Sequence, residues 1–317
     1  MKEYINKGNK DTRSGFGAGL LEAGKKHPEV VAYCADLKGS LKMDAFANEF
    51  PERFYQCGIA EANMIGAGAG SSLSGKIPYV GSFAGFVTGR VYDQIRQVVA
   101  YSNTNVKICA SHAGITLGED GATHQIMEDM GLMRMLPNLV VINPCDYNQT
   151  KAATEAIAEY DGPVYLRFGR PSVPNFTEED QKFEIGKALM LNEGKDVTVF
   201  ATGHLVWEAI QAAKELEAEG ISVELINIHT IKPLDTEAIL KSVAKTKAVV
   251  CAEEHLIAGG MGEAIASVLV RENPVPMEFV AVDDKFGQSG KPAQLMTAYG
   301  LDAAHIVEAV RKVVKRK

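Results

Sequence analysis

The sequence predicts an α/β protein of two domains, each with a parallel sheet, the second mostly parallel, and helices on both faces of each sheet. Three observations predict this class. Short apolar runs alternate with helix-length segments along the whole chain, which is typical of βαβ crossovers. The apolar runs are continuous, which favours strands buried on both faces. The alternation breaks once, in a polar, proline-bearing passage at 170–185, as a domain linker would.

The elements follow from this alternation in chain order. In the first half we predict a helix at 12–26 that ends near Pro28, then strands and helix starts at these positions: strands 30–35, 54–55, 77–80, 106–110, 139–142 and 164–166; helices from 44, 61, 88, 124 and 147. In the second half we predict strands 197–201, 222–226, 248–252 and 277–282, and helices at 206–219 and from 236, 260 and 302. The domains are expected at 1–175 and 191–317, joined by a linker at 176–190.

The composition limits the classes of function. A chain of 317 residues with 46% hydrophobic and 23% charged residues is typical of a soluble globular protein. Its net charge of -7 disfavours a nucleic-acid partner. The five cysteines include no C-x-x-C pair, which favours buried free thiols over disulfides or a zinc site. No run approaches about 18 apolar residues, so we expect no membrane partner and a cytoplasmic location.

Glu61 lies between a strand-like run and the small-residue stretch at 66–70. On spacing alone, a first-turn glutamate stabilised by the helix dipole is the simpler interpretation. The glycines at 66, 68 and 70 fall inside the predicted helix, whereas a dinucleotide fingerprint needs them at the strand-to-helix turn. They are better explained by close packing of the helix.

Two histidines, His112 and His124, enclose a loop with repeated glycines that contains Asp120. A loop of this kind suits a polar substrate better than a packed core. The zinc interpretation is weaker because the H-x-x-x-H and C-x-x-C spacings are missing. The aromatic residues at 83 and 86 have a spacing that more often belongs to a core than to a cofactor pocket. The Gly-Gln-Ser-Gly-Lys run at 287–291 lacks the spacing and the hydroxyl residue of a phosphate loop.

Together these residues resemble a known family. The segment 53–125 is similar to the pyrimidine-binding domain of thiamine-diphosphate enzymes, and most closely to transketolase. The resemblance rests on Gly-Ile-Ala-Glu at 58–61, on the aromatic pair Phe83 and Phe86, and on Gly-Glu-Asp-Gly-Ala-Thr-His-Gln at 118–125. The family motif has proline where this chain has Ala122, and a third aromatic of the family pattern would fall near Gly89. The run Ala-Glu-Glu-His at 252–255 resembles the family's C-terminal domain, which is mainly an assembly module there.

The resemblance implies roles for individual residues. Glu61 would hold the pyrimidine nitrogen N1′ and so activate the cofactor, which requires a sheltered carboxyl. The implied cofactor contacts are Glu61, Phe83, Phe86, Asp36 and Leu37. The implied substrate contacts are Asp120 for a sugar hydroxyl, His124 for an oxygen near the reacting carbon, and, for phosphate, His112, Arg13, Ser40 and either Arg170 or Arg167. Glu61 and His124 would be catalytic. Guanidinium groups suit phosphate because they donate two parallel hydrogen bonds.

What the chain lacks also matters. The family's other domain binds the diphosphate through a metal ion and carries a Gly-Asp-Gly signature, which this sequence does not contain. Met1 comes shortly before the first helix, so we expect a separately encoded half of the enzyme. The resemblance then implies a partner chain that binds the diphosphate through Mg²⁺ or Ca²⁺, with thiamine diphosphate shared at the interface, no metal ligand in this chain, and two copies of each chain.

The implied reaction moves a two-carbon ketol unit from a ketose phosphate to an aldose phosphate, as in the pentose phosphate pathway. Two alternatives remain open. One is half of a 2-oxoacid dehydrogenase or of a deoxyxylulose-phosphate synthase-like enzyme, although the two histidines around Gly-Glu-Asp-Gly favour sugar phosphates. The other is a non-catalytic assembly subunit, which would have little need for the acid, the histidines and the arginines together.

Overall fold

The computed structural model describes residues 2–317 and confirms the α/β class. In the first half the strands are β1 (Asn9–Asp11), β2 (Val30–Cys34), β3 (Phe54–Gln56), β4 (Ile77–Phe83), β5 (Lys107–Ser111), β6 (Val140–Ile142), β7 (Val164–Arg167) and β8 (Ser172–Pro174). The helices are α1 (Thr12–Lys26), α2 (Asp44–Glu49), α3 (Glu61–Leu73), α4 (Ala84–Val87), α5 (Tyr92–Gln94), α6 (Asp129–Arg134) and α7 (Tyr147–Glu159). Shorter helical turns of the 3₁₀ type are Pro51–Arg53, Gly89–Val91 and Ile115–Leu117, and a π-helical segment covers Ile95–Tyr101.

The second half forms its own sheet. Its strands are β9 (Leu189–Asn192), β10 (Val197–Ala201), β11 (Val223–Asn227), β12 (Thr230–Lys232), β13 (Val249–Leu256) and β14 (Met277–Val282), and its helices are α8 (Leu205–Ala218), α9 (Thr236–Thr246), α10 (Met261–Glu272), α11 (Pro292–Ala298) and α12 (Ala303–Val314). The strand order is β14-β13-β10-β11-β9, with only β9 antiparallel to its neighbour. The expectation of a mostly parallel second sheet is confirmed.

The first sheet does not consist of the first half alone. Its order is β12-β6-β7-β5-β4-β2-β3, and all its pairs are parallel except β12 with β6. Strand β12 comes from the second half of the chain, so the division at 175–191 does not separate two independent sheets. The predicted linker is also anchored, because the Asp146 carboxylate accepts hydrogen bonds from the backbone amides of Phe176 and Thr177.

Two predicted helices differ from the structure. No helix begins at His124, since α6 starts only at Asp129. The preceding loop turns at Gly114, Gly118 and Gly121, each with a positive φ, and this conformation interrupts helical periodicity. The helix predicted from residue 88 is broken into short pieces before the π-helical segment. Helix α11 and strands β1, β8, β9 and β12 were not predicted, because they are short and lack a periodic pattern.

The glycines of α3 pack closely at one position only. A Cβ on Gly68 would lie 2.6 Å from Val80 Cγ1 on β4, so only glycine allows this approach of helix and sheet. Gly66 and Gly70, by contrast, face open space. The predicted role in close packing is therefore confirmed for Gly68 within this chain and not for the other two glycines.

The structure also describes the cysteines, the lengths of the helices and the clusters of possible metal-ligating side chains. All five cysteines are free, and all except Cys57 are buried, as expected. Over residues 2–317 no helix is both long and apolar enough to cross a membrane. Within the same residues, no group of three or more His, Cys, Asp or Glu side chains could hold a metal ion.

Buried histidines make the stability of this fold depend on pH. Burial is the main cause that lowers the pKa of His112 to about 3 and the pKa values of His229 and His255 to about 4. Between these values and about 6.5, the unfolded chain binds the protons that the folded chain excludes, so stability falls as pH falls. Burial raises the pKa of Glu253 to about 7 and also raises that of Glu208, which opposes the effect.

We therefore expect the free energy of unfolding to fall by roughly 1 to 3 kcal/mol per pH unit between about pH 6.5 and 4.5, because the three histidines outnumber the carboxyl groups whose pKa is raised. Urea titrations at a series of pH values measure this slope. In the His229→Gln variant this slope should be smaller by the contribution of one proton, about 1.4 kcal/mol per pH unit, whatever the stability of the variant itself. A wild-type slope of opposite sign would contradict the assignment.

Candidate functional site

The residues predicted to form a site lie along one edge of the first sheet. Strands β7, β5, β4, β2 and β3 are neighbours and run parallel, so their carboxyl ends share that edge. Ligands bind beside the carboxyl ends of parallel strands. The residues that follow or end these strands are Arg170 after β7, His112 after β5, Phe83 in β4, Asp36 after β2 and Glu61 after β3.

Glu61 is the first residue of α3 and its side chain is only 4% exposed. The carboxyl group sits at the positive end of the helix dipole. Its near partner is Arg90, whose Nη1 lies 3.5 Å from Glu61 Oε1. A sheltered carboxyl at a sheet edge can hold a proton on a ring nitrogen, as the resemblance implies for this residue.

An aromatic cluster lies beside it. The rings of Phe83 and Phe86 stack with centroids 5.7 Å apart. Phe83 also stacks on His112 at 3.8 Å, and Phe86 meets the His124 ring edge-on at 5.5 Å. Both phenylalanines are only partly buried and each contacts a predicted site histidine, while Phe83 also packs against a hydrophobic core cluster. The two phenylalanines and the two histidines therefore form one connected group of ring contacts.

Arg90 is a member of this cluster that sequence reasoning missed. Its guanidinium carbon lies 4.2 Å from the centre of the Phe86 ring, within the range of a cation–π contact. It stands one residue after Gly89, where the third aromatic of the family pattern was expected and is absent. The signal that could have found it is this spacing, because a guanidinium plane can replace an aromatic ring as a flat stacking surface.

A basic cluster adjoins the aromatic one. After burial, the charges of Arg13 and Arg170 are the causes that lower the pKa of His112 to about 3. Burial first, and then the charge of Arg170, also lower the pKa of Arg13, against the opposing effect of Asp11. Basic groups that depress one another's pKa lie close together, and such a cluster favours an anionic ligand. Ser40 belongs to the same place, because its carbonyl accepts a hydrogen bond from Arg13 Nη1 at 3.0 Å.

The two candidate arginines have different environments. Arg167 is buried, and its Nε donates to Asp129 Oδ2 at 2.8 Å while Nη2 donates to the Glu254 carbonyl at 2.9 Å. These bonds commit it to the core between the two halves, so the structure does not support Arg167 as a substrate contact. Arg170 is partly exposed; its Nη1 donates to the Leu117 carbonyl at 2.7 Å and lies 3.2 Å from Oε2 of the exposed Glu119. Of the two, Arg170 is the one that reaches the basic cluster.

Two backbone conformations at this edge are unusual. Asp36 and His112 both have φ near +59°, a conformation that residues other than glycine seldom adopt and that concentrates at functional sites. Asp36 is exposed, and its amide donates to Gln56 Oε1 at 2.6 Å. Leu37 follows, with its amide 3.3 Å from Cys34 Sγ. The turn at the end of β2 is therefore fixed, with the Asp36 side chain left free for a ligand.

The 114–125 loop carries the remaining predicted residues. Asp120 is exposed at its tip, and His124 is partly buried with Nδ1 3.0 Å from Thr123 Oγ1. The edge thus offers an acid, stacking rings, a basic cluster and two imidazoles. Such a set can hold an aromatic heterocycle next to an anionic, hydroxylated substrate.

Comparison with known proteins is consistent with this geometry. Residues 9–175 match the family model of the transketolase pyrimidine-binding domain, and residues 186–306 match that of the transketolase C-terminal domain. The two models leave residues 176–185 between them, inside the linker expected at 176–190.

Several individual proteins are similar over nearly the whole chain. A protein of Methanocaldococcus jannaschii named as a transketolase C-terminal section is 46% identical, with 97% of this chain and 98% of that protein covered. A 6-deoxy-6-sulfo-D-fructose transketolase subunit of a Clostridium species is 44% identical over 94% of this chain and 92% of that protein. A solved structure described as a split-gene transketolase, an inactive beta4 tetramer, superimposes with a TM-score of 0.91 and 46% identity, covering 96% of this chain and 98% of that one. With its edge of acid, aromatic and basic residues, this chain belongs to the transketolase family, as a subunit built from the pyrimidine-binding and C-terminal domains.

Proposed function

We propose that this chain is one half of a two-chain transketolase and transfers a two-carbon ketol unit between a ketose phosphate and an aldose phosphate together with a partner chain. The observation that supports this best is the basic cluster of Arg13, His112 and Arg170, which lies on the same sheet edge as Glu61. A phosphate group and a reacting carbon a few bonds away can then be held by one edge at once.

Thiamine diphosphate, when bound, supplies the reactive carbon that accepts the ketol fragment. The residues on this edge fit its pyrimidine ring: Glu61 can hold a proton at a ring nitrogen, and Phe83, Phe86 and Arg90 offer flat surfaces for stacking. Diphosphate and its Mg²⁺ or Ca²⁺ are assigned to the partner chain.

The substrate roles follow from position and charge. Arg13 and Arg170 hold the phosphate, and His112 contacts it as a neutral imidazole, since its pKa of about 3 keeps it unprotonated at neutral pH. Asp120 accepts a hydrogen bond from a sugar hydroxyl, and His124 binds the donor oxygen next to the bond that breaks.

Three exposed apolar side chains around α3 support the partner chain. Ile59, two residues before α3, and Leu73, its last residue, are 78% and 79% exposed, and Tyr101 in the neighbouring π-helical segment is 82% exposed. Large apolar side chains that face water often mark an interaction surface. Since α3 begins at Glu61, a chain docked on this surface would border the site. The expected assembly contains two copies of each chain.

The test is a ketol-transfer assay with xylulose 5-phosphate and ribose 5-phosphate, thiamine diphosphate and Mg²⁺. Activity is expected only when this chain is mixed with a chain that carries the diphosphate-binding domain. Activity of this chain alone would overturn the two-chain proposal. Consumption of pyruvate, but not of sugar phosphate, would favour the 2-oxoacid or deoxyxylulose alternative, and an inactive mixture that nevertheless assembles would favour a non-catalytic subunit.

A sugar donor that carries a sulfonate should be tested in the same assay, because the basic cluster can bind a sulfonate as well as a phosphate. The 44% identical relative is named for 6-deoxy-6-sulfo-D-fructose, whose sulfonate would occupy the same cluster. A sulfosugar donor preferred over the ketose phosphate by more than about tenfold in kcat/KM, or about 1.4 kcal/mol, would assign this chain to that substrate class.

Arg90 gives a prediction for cofactor binding. The Arg90→Ala variant removes the guanidinium plane that we propose stacks on the pyrimidine ring, and we expect thiamine diphosphate to bind the mixture about three- to tenfold more weakly, the size of one such contact. Calorimetric titration measures this affinity. The control is Arg96→Ala, an exposed arginine of the adjacent segment. Tighter binding by Arg90→Ala would instead mean that Arg90 competes with the cofactor for Glu61.

A further inference from the structure

The 114–125 loop is held from both halves of the chain. On the first-domain side, Arg170 donates to the Leu117 carbonyl. On the C-terminal side, Glu254 in β13 accepts a hydrogen bond from the Thr116 amide, with Oε1 at 2.7 Å. The loop that carries Asp120 and His124 therefore depends on a residue of the other domain.

A second tie reaches the run at 287–291 that resembled a phosphate loop. The side-chain Nε2 of Gln125, with two hydrogens to donate, lies within hydrogen-bond distance of three carbonyl oxygens, those of Ile115 at 3.0 Å, Gly118 at 3.2 Å and Gln288 at 3.0 Å. One side chain thus closes the loop on itself and joins it to the C-terminal domain. The glycines of that run fit this purpose, because a Cβ on Gly287 would lie 1.9 Å from Gln125 Oε1.

The apolar base of the loop belongs to the C-terminal domain as well. Ile115 and Met127, at either end of the loop, are buried in the same hydrophobic cluster as Leu295 of α11 and Val250 of β13. A loop whose base lies in a packed core has little freedom to shift.

Glu254 is itself fixed. It is 2% exposed, His204 Nδ1 lies 3.4 Å from its Oε2, and its carbonyl accepts from Arg167. Gly114 allows the approach, because its φ is +82° and a Cβ there would lie 2.2 Å from Glu254 Oε1. Arg167, which was a candidate substrate contact, thus holds Glu254 in place, and Glu254 in turn holds the loop.

From these contacts we infer that Glu254 is a positioning residue, which sets the backbone of the 114–125 loop and through it the placement of Asp120 and His124. The C-terminal domain is then part of the substrate site, beyond the assembly role expected for it. The consequence for catalysis rests on the proposed function, whereas the consequence for the loop does not.

The first test uses the chain alone and hydrogen–deuterium exchange of its backbone amides. In Glu254→Ala the Thr116 amide loses its acceptor, and we expect peptides covering 114–125 to exchange at least about tenfold faster than in wild type. Glu254→Gln keeps an oxygen acceptor in place and is expected to restore most of the protection. Peptides of α3, which lies away from this contact, should be unchanged in both variants.

The matched control is Glu253→Ala. Glu253 is the preceding residue and equally buried, but it accepts from the amides of Met261 and Gly262 at the start of α10. The Glu253→Ala variant should speed amide exchange at the start of α10 and leave exchange of the 114–125 loop unchanged. If Glu254→Ala does not fold, Gln125→Leu tests the same inference, since it removes the second tie at nearly constant volume and should expose both the loop and 286–289.

The second test uses the reconstituted two-chain enzyme. Glu254→Ala is expected to lower kcat/KM for the sugar phosphates about 10- to 100-fold, the cost of misplaced groups, with unchanged affinity for thiamine diphosphate and recovery in Glu254→Gln. The inference is overturned if the loop amides of Glu254→Ala exchange as slowly as those of wild type. It is also overturned if Glu253→Ala speeds loop exchange as much as Glu254→Ala does. If the wild-type mixture shows no ketol transfer, the proposed function is wrong. The inference about the loop is then tested by the hydrogen–deuterium exchange result alone.

Discussion

Replacing Glu61 by alanine is expected to lower ketol transfer by the two-chain mixture about 1,000-fold, within the range for loss of a group that moves a proton in the transition state. The carboxyl is buried at the start of α3, beside the stacking surfaces of the cluster. Without it, the pyrimidine loses the carboxyl that we propose holds its proton. Steady-state kinetics with saturating cofactor measures the loss.

The comparison with Glu61→Gln separates chemistry from binding. Glutamine keeps the shape and one hydrogen bond but cannot share a proton, so it should be nearly as slow as alanine while binding the cofactor better. Stability should change little in either variant, because a first-turn carboxylate contributes under about 1 kcal/mol through the helix dipole. A Glu61→Gln enzyme that kept more than a tenth of wild-type activity would remove Glu61 from its catalytic role.

The sheet strands were the most predictable part of the fold. The strands predicted at 197–201 and 277–282 match β10 and β14 in full. Strand β10 is buried, as a mostly apolar run predicts for a central parallel strand, whereas β14 is an edge strand and only partly buried. Strand β12 could not be predicted. Thr230–Lys232 is only three residues long, and its pairing with β6 depends on tertiary contacts between the halves.

The position of a residue beside the sheet edge was predictable where a motif fixes both residue type and spacing, as for Glu61 and His124, whose roles stay predictions. It was not predictable where the role depends on packing. Arg167 and Arg170 are three residues apart in one sequence run, yet one is buried against Asp129 and the other is partly exposed. From the sequence, Glu254 was expected to belong to an assembly module. Its contact with Thr116 could not be predicted, because the two residues are 138 positions apart in the chain.

The buried pair of Asp129 and Arg167 leads to the largest expected effect on stability. Asp129 is fully buried, and its Oδ2 accepts from Arg167 Nε at 2.8 Å and from the Tyr165 hydroxyl at 2.6 Å. Burial is the largest influence and raises the pKa of Asp129, but the charges of Arg167 and His255 and the hydrogen bonds from Arg167 and Tyr165 together hold that pKa below its usual value. The carboxylate is thus the main counter-charge for a guanidinium that has no access to water.

Asp129→Asn is therefore expected to lower the free energy of unfolding by about 3 kcal/mol, because a buried charge loses its partner while the shape of the site is kept. Urea denaturation of the chain at neutral pH measures the change. The control is Glu22→Gln, which breaks the exposed pair with Lys25 and should cost under about 1 kcal/mol.

A double variant decides whether charge is the cause. In Asp129→Leu with Arg167→Met both charges are gone, and apolar groups of similar size often replace a buried pair at little cost. The double variant should therefore be more stable than Asp129→Asn, although Tyr165 loses an acceptor. If it is less stable, the hydrogen bonds that Arg167 makes between the two halves of the chain, and not its charge, account for the loss. The pair would then serve to join β7 to β13, and the same bond to the Glu254 carbonyl would connect the stability of the fold to the position of the 114–125 loop.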